Sequence, residues 1–195
     1  MKKTNKQQIR TLALGAVMTA IVIVVQYLGS VTTFFGPFST AIGLTPIIIG
    51  AALCGVSVGA WLGFVFGMVV LLSGGAALFL AFDVPGTILT VLLKGALCGF
   101  AAGLTYKLLS KVNSYLAVFS ASLICPITNT AVFLVGCRIF FYPHADAIAK
   151  QLSSNASGMA LFWALAMGNF LFEILLNVVL APVVIRILKH TKSKN

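Results

Sequence analysis

A chain of 195 residues that is 60% hydrophobic and only 8% charged, with a mean hydropathy of +1.09, cannot cover a water-facing surface with charge. This excludes a soluble domain and marks an integral membrane protein. The length suits about six spans of roughly 20 residues with short connections, so the expected fold is all-α: one membrane domain over residues 1–195, a compact bundle of six transmembrane helices.

In chain order, the N-terminal MKKTNKQQIR is basic and runs into an apolar stretch through Gln26. That stretch is too long for the core of a signal peptide and reads as the first span, about 10–29. Residues 30–39, SVTTFFGPFS, and 74–85, GGAALFLAFDVP, are aromatic and glycine-rich with almost no charge, as expected of segments that lie over a bundle as a lid. Between them, residues 40–73 form one nearly unbroken apolar run that would overshoot the bilayer as a single helix. The sequence CGVSVG at 54–59 divides it into spans at about 40–54 and 57–73, the first opened by Thr45 and Pro46, the alternative being one long tilted span. Three further spans are expected at about 86–108, 114–141 and 159–188.

Lysine and arginine set the orientation. The N-terminal tail (Lys2, Lys3, Lys6, Arg10), the connection carrying Lys107 and Lys111, and the C-terminal tail (Arg186, Lys189, Lys192, Lys194) fall on one side of six spans. The other side has only Lys150, near Asp146 and His144. The bias places both termini in the cytoplasm. It also accounts for the net charge of +10 without nucleic acid, because basic tails on so apolar a chain determine topology or meet anionic lipid.

Two charges stand where hydrocarbon is expected. Lys94 opens the small-residue segment KGALCGFAAG at 94–103, and Glu173 lies inside NFLFEILLN at 169–177. Such charges are costly unless they face a polar cavity or a partner, and they point to a solute site. Small residues recur every four positions: Gly55, Gly59, Gly63 and Gly67, then Gly95, Gly99 and Gly103, with Ala16 and Ala20 in the first span. These stripes let helix backbones approach closely inside the bundle, and the first-span stripe is either internal packing or an exposed docking face. Cys54, Cys98, Cys125 and Cys137 are scattered singly, and neither His144 nor His190 has companions at metal-ligand spacing, so packed thiols and no metal are expected.

Taken together, the Ala16-x-x-x-Ala20 pattern, the glycine-rich turn LCGVSVGAWLG at 53–63, the Lys94 to Tyr106 segment K-G-x-x-x-G-x-x-x-G-x-x-Y, and Asn169-x-x-x-Glu173 followed by Pro182 resemble the substrate-binding S components of energy-coupling factor transporters. The resemblance covers essentially the whole chain. It implies a micronutrient uptake module in the plasma membrane of a prokaryote, capturing a vitamin-like solute at the outer face and docking on a transmembrane coupling subunit driven by two ATP-binding cassette subunits. By that likeness Ala16 and Ala20 form the docking face. The chain has no G-x-x-x-x-G-K-[ST] motif, so ATP is hydrolysed elsewhere and the chain is not an enzyme; no cofactor is expected.

The family's pocket architecture nominates Phe34, Phe35 and Phe38 in the first loop, Asp83 in the second, Lys94, Asn129 and Arg138, and Asn169 with Glu173. Each also has a structural reading. Glu173 would neutralise Lys94, Arg138 would snorkel to headgroups, Asn129 and Asn177 would bridge helices, and Phe34 and Phe35 would anchor at the interface. The charges suit a B-group vitamin, with pantothenate and riboflavin foremost and folate or a corrinoid compatible; Trp61 and Trp163 lie outside the predicted loops, which disfavours a flat ring sandwiched between indoles. Among other classes, an intramembrane enzyme lacks a nucleophile–base set or paired carboxylates. A stand-alone ion-coupled secondary transporter would use Lys94 and Glu173 as its coupling pair, against which no inverted repeat is visible. A purely structural or assembly role would leave the two charges as packing partners.

Overall fold

The structure, a computed structural model, describes residues 5–31, 43–152 and 157–193. Phe34, Phe35 and Phe38 of the first predicted loop lie outside the described residues, while its Ser30 and Val31 end α1. The chain is all-helical there: α1 (Asn5–Val31), α2 (Leu44–Cys54), α3 (Val56–Leu72), α4 (Ala77–Leu80), α5 (Val84–Leu109), α6 (Ser114–Gly136), α7 (Ala145–Gln151) and α8 (Gly158–Ser193). Four segments are long and apolar enough to cross a membrane, Gln8–Ser30, Val84–Leu109, Ser114–Gln151 and Gly158–Leu188, while α2 and α3 are shorter apolar helices.

The long apolar run is broken at Gly55, whose φ of 105° is open to glycine and strained for any other residue. α2 therefore ends after 11 residues, about 16 Å of helix against a hydrocarbon core of about 30 Å. It stays within the protein because α1, α3, α5, α6 and α8 all pack on it, burying Leu44, Ile47, Ile48 and Ala51. Thr45 and Pro46 occupy its first turn, where a missing proline N–H removes no helical bond. Asp83 accepts the Gly86 N–H at 3.0 Å and starts α5, with proline in the first turn. Asn113 caps α6 through Tyr115 N at 2.8 Å. Both caps satisfy helix-end donors that hydrocarbon would leave unpaired. The segment expected as one helix to 141 is α-helical to Gly136 and then widens into a π-turn, Cys137–Phe141, that carries Arg138.

The glycine stripes meet one another. α3 and α5 form the most extensive helix pair, and their backbones touch where the stripes coincide. A methyl group on Gly63 would overlap the Gly95 carbonyl, one on Gly59 would sit 2.6 Å from the Gly99 oxygen, and one on Gly67 2.8 Å from the Val91 oxygen. Close approach here is what packing in lipid requires, since tails as apolar as leucine give no hydrophobic drive to association. α5 is the most enclosed of the four long spans and α1 the least, with Ala16 and Ala20 exposed on α1.

Buried apolar residues fall into two clusters. The larger, with Val22, Ile47, Phe66, Cys98 and Ala121, fills the centre of the bundle. The smaller joins the π-turn, α7 and the start of α8 through Phe141, Ile148, Leu161 and Phe162, with Phe79 and Phe133 packed against it. Gly63→Val is expected to destabilise the detergent-solubilised protein by about 1–3 kcal/mol or more, because backbone cannot move aside as a side chain does. Gly15→Ala, which meets only Val58 at 3.6 Å, is expected to leave the melting temperature unchanged. Equal melting temperatures for all three proteins would show that the α3–α5 contact is not tight.

Candidate functional site

A cavity of about 90 Å³ lies at the seam of the two clusters, walled by Val70 of α3, Phe79 of α4, Lys94 of α5, Asn129 and Phe133 of α6, and Leu165 and Asn169 of α8. It sits toward the end of the bundle where α3 finishes and α5 begins, opposite the end where the α2–α3 turn meets Gly103, Tyr106 and Lys107. Three of the nominated residues therefore share one wall: Lys94, Asn129 and Asn169. Most of the remaining wall is apolar, so polar contacts within it are few and directional.

Glu173 stands behind that wall rather than on it. It is fully buried, one helical turn below Asn169, and its carboxylate accepts from two amides at once. Asn169 Nδ2 donates to Oε1 at 2.6 Å, and Asn129 Nδ2 donates to Oε1 and Oε2 at 3.2 and 3.3 Å. Its backbone carbonyl accepts from Asn177 Nδ2 at 2.9 Å, and Asn177 Oδ1 in turn accepts from Thr45 Oγ1 at 2.9 Å. A chain of hydrogen bonds thus runs from the cavity wall through α8 to the start of α2. Bonds to an ionised group are worth roughly 1.5–3 kcal/mol each, which is the scale needed to hold a carboxylate out of water. The Lys94 ammonium lies over the Phe133 ring, 5.4 Å from its centroid, within Coulombic reach of Glu173.

The other nominated residues are placed elsewhere. Asp83 is engaged at the N-terminus of α5. Arg138 is exposed, its guanidinium stacked 4.4 Å from the Tyr142 ring centre. Neither borders the cavity. Phe79 and Phe133, which sequence reasoning did not single out, supply its aromatic surface. Phe133 was within reach of it: one turn beyond Asn129, it shares that residue's helical face. Among the described residues no group of three or more His, Cys, Asp or Glu side chains could hold a metal ion, and all four cysteines are buried free thiols.

No curated protein and no solved structure matches the chain. The family model described as ECF transporter, substrate-specific component, matches residues 10–185. That match spans every helix that builds the cavity, and the chain belongs to the family of substrate-specific components of ECF transporters.

Proposed function

We propose that this chain is the high-affinity solute-capturing subunit of an ATP-driven micronutrient importer, with Lys94, Asn129 and Asn169 as the groups that meet the solute. The observation that carries this is the placement of one cation and two amides on the wall of an otherwise apolar, aromatic cavity. An ammonium over an aromatic face is held by roughly 0.5–2 kcal/mol, weak enough to yield to a solute oxygen. The solute is a B-group vitamin or a precursor, pantothenate and riboflavin being the foremost candidates. Drug-sized ligands fill roughly 300–1,000 Å³, so a cavity of about 90 Å³ takes the polar head of such a molecule.

In this reading the chain is a single domain of six spans, α2 and α3 included, with both termini on the cytoplasmic side of a prokaryotic plasma membrane. The exposed small-residue face of α1 around Ala16 and Ala20 docks on the transmembrane coupling subunit, and two ATP-binding cassette subunits supply energy. A flat face of small side chains suits helix-to-helix contact. The alternative, a stand-alone transporter coupled to an ion gradient, draws on the same two intramembrane charges.

Ala16→Trp combined with Ala20→Trp is expected to abolish uptake by the assembled transporter in proteoliposomes while leaving solute binding by the isolated chain unchanged. Equal loss of both would contradict a dedicated docking face, and uptake by the lone chain under a sodium or proton gradient without ATP would establish the alternative. Lys94→Ala is expected to weaken solute binding by on the order of 1–3 kcal/mol, read by calorimetry on the detergent-purified chain. Unchanged affinity with a lower melting temperature would assign Lys94 to bundle structure.

A further inference from the structure

Four buried polar atoms lack a hydrogen-bond partner among the described residues: Gln26 Oε1, Thr90 Oγ1, Ser122 Oγ and Asn129 Oδ1. Thr90 and Ser122 are hydroxyls within helices, able to rotate toward the carbonyl one turn back. Asn129 has no such freedom. Of the four residues, it is the one that borders the cavity, and it is 2% exposed.

The orientation of its amide follows from its neighbour. With Glu173 ionised within reach of the Lys94 ammonium, its carboxylate only accepts hydrogen bonds, so the edge of Asn129 that lies 3.2 and 3.3 Å from the Glu173 oxygens is Nδ2. Turning the amide over would set Oδ1 against two carboxylate oxygens with no proton between them. Glu173 itself is anchored from behind, where Asn177 binds its carbonyl and Thr45 binds Asn177. The acceptor edge of Asn129 is thereby committed away from Glu173, and a buried amide oxygen without a partner costs free energy until a donor reaches it.

We infer that the cavity selects a solute that brings an O–H or N–H donor to Asn129 Oδ1 beside an oxygen held by the Lys94 ammonium, and that Glu173 is the positioning residue that fixes this polarity without touching the solute. The inference rests on the solute-capture reading above and adds to it the hydrogen-bond pattern of the substrate: a donor flanked by an acceptor, as in a hydroxy acid, a hydroxy amide or an imide edge. Solutes whose bound end carries only acceptors are rejected, because they leave Asn129 unpaired and press oxygen against oxygen. Discrimination of this kind is steep where a buried polar group is built to pair with a substrate hydrogen.

The test measures dissociation constants for the detergent-purified full chain. Pantothenate, riboflavin and the other B-group vitamins are screened first, and the vitamin that binds is compared with its counterparts in which single O–H or N–H groups are replaced by hydrogen or CH2. In the wild type, one such deletion is expected to weaken binding by roughly 10-fold or more. In Asn129→Ala the parent vitamin weakens and that ratio falls to near one. In Glu173→Gln the ratio also falls, because a glutamine can donate to Asn129 and release its orientation, while the melting temperature stays near that of the wild type. A deletion ratio that stays at its wild-type value in Asn129→Ala, for every counterpart, overturns the inference and leaves the capture reading intact. A Glu173→Gln protein that unfolds while Asn129→Ala collapses the ratio supports the donor site and overturns the positioning role. Absence of binding by every vitamin to the wild type overturns the capture reading and the inference with it.

Discussion

A carboxylate sealed inside a membrane bundle governs this molecule's polar architecture. Glu173 is fully buried, and the cost of keeping it ionised, several kcal/mol for a lone charge away from water, dictates what surrounds it. Two asparagine amides from α6 and α8 supply donors to its oxygens, and a third holds its carbonyl. Lys94 adds a positive charge from α5 at longer range. The polar residues of three helices are arranged around one anion, and the cavity wall is the outward side of that arrangement. The cavity wall therefore carries amides and an ammonium, while the acid stays fully buried behind it.

The scaffold that permits this geometry is built from absence of side chains. Gly63 and Gly95 let α3 and α5 meet backbone to backbone, which brings the C-terminal end of α3 and the α4 turn over the start of α5 and encloses the cavity on one side. Phe79 and Phe133, ring centroids 5.5 Å apart, enclose it on another, and Phe141 of the π-turn backs Phe79 at 4.8 Å. The cavity lies where these two packing regimes join: glycine-mediated contact in the bundle centre, aromatic packing at its end.

The sequence made the helical fold legible because each relevant signal is strong and local. Apolar length marks the spans, and the glycine-rich CGVSVG stretch breaks the one run too long for a helix to cross, at Gly55. Lys94 and Glu173 announced themselves by being costly. What was not legible is direction. Helical spacing gives the face of a residue relative to its own axis, whereas the placement of Glu173 behind the wall and Asn169 on it, one turn apart, depends on how α6 and α8 rotate against each other. Asp83 shows the same difficulty from the other side: the family's pocket architecture nominates it, yet the Gly86 N–H in the first turn of α5 claims its carboxylate. Phe79 and Phe133 were hidden among fifteen phenylalanines, distinguishable only by their position relative to Lys94 and Asn129.

Membership in the substrate-specific family makes the chain a substrate-binding transport subunit. The central claim is that recognition occurs at the amide–ammonium wall that Glu173 organises. It is tested most directly by a high-resolution structure of the chain with its solute bound. The account predicts solute density in the cavity, in hydrogen-bond contact with Lys94 Nζ and with the amides of Asn129 and Asn169, and Glu173 still holding both amides from behind. A solute bound elsewhere on the bundle, or Lys94 turned onto Glu173 as a closed ion pair with the cavity empty, would contradict it.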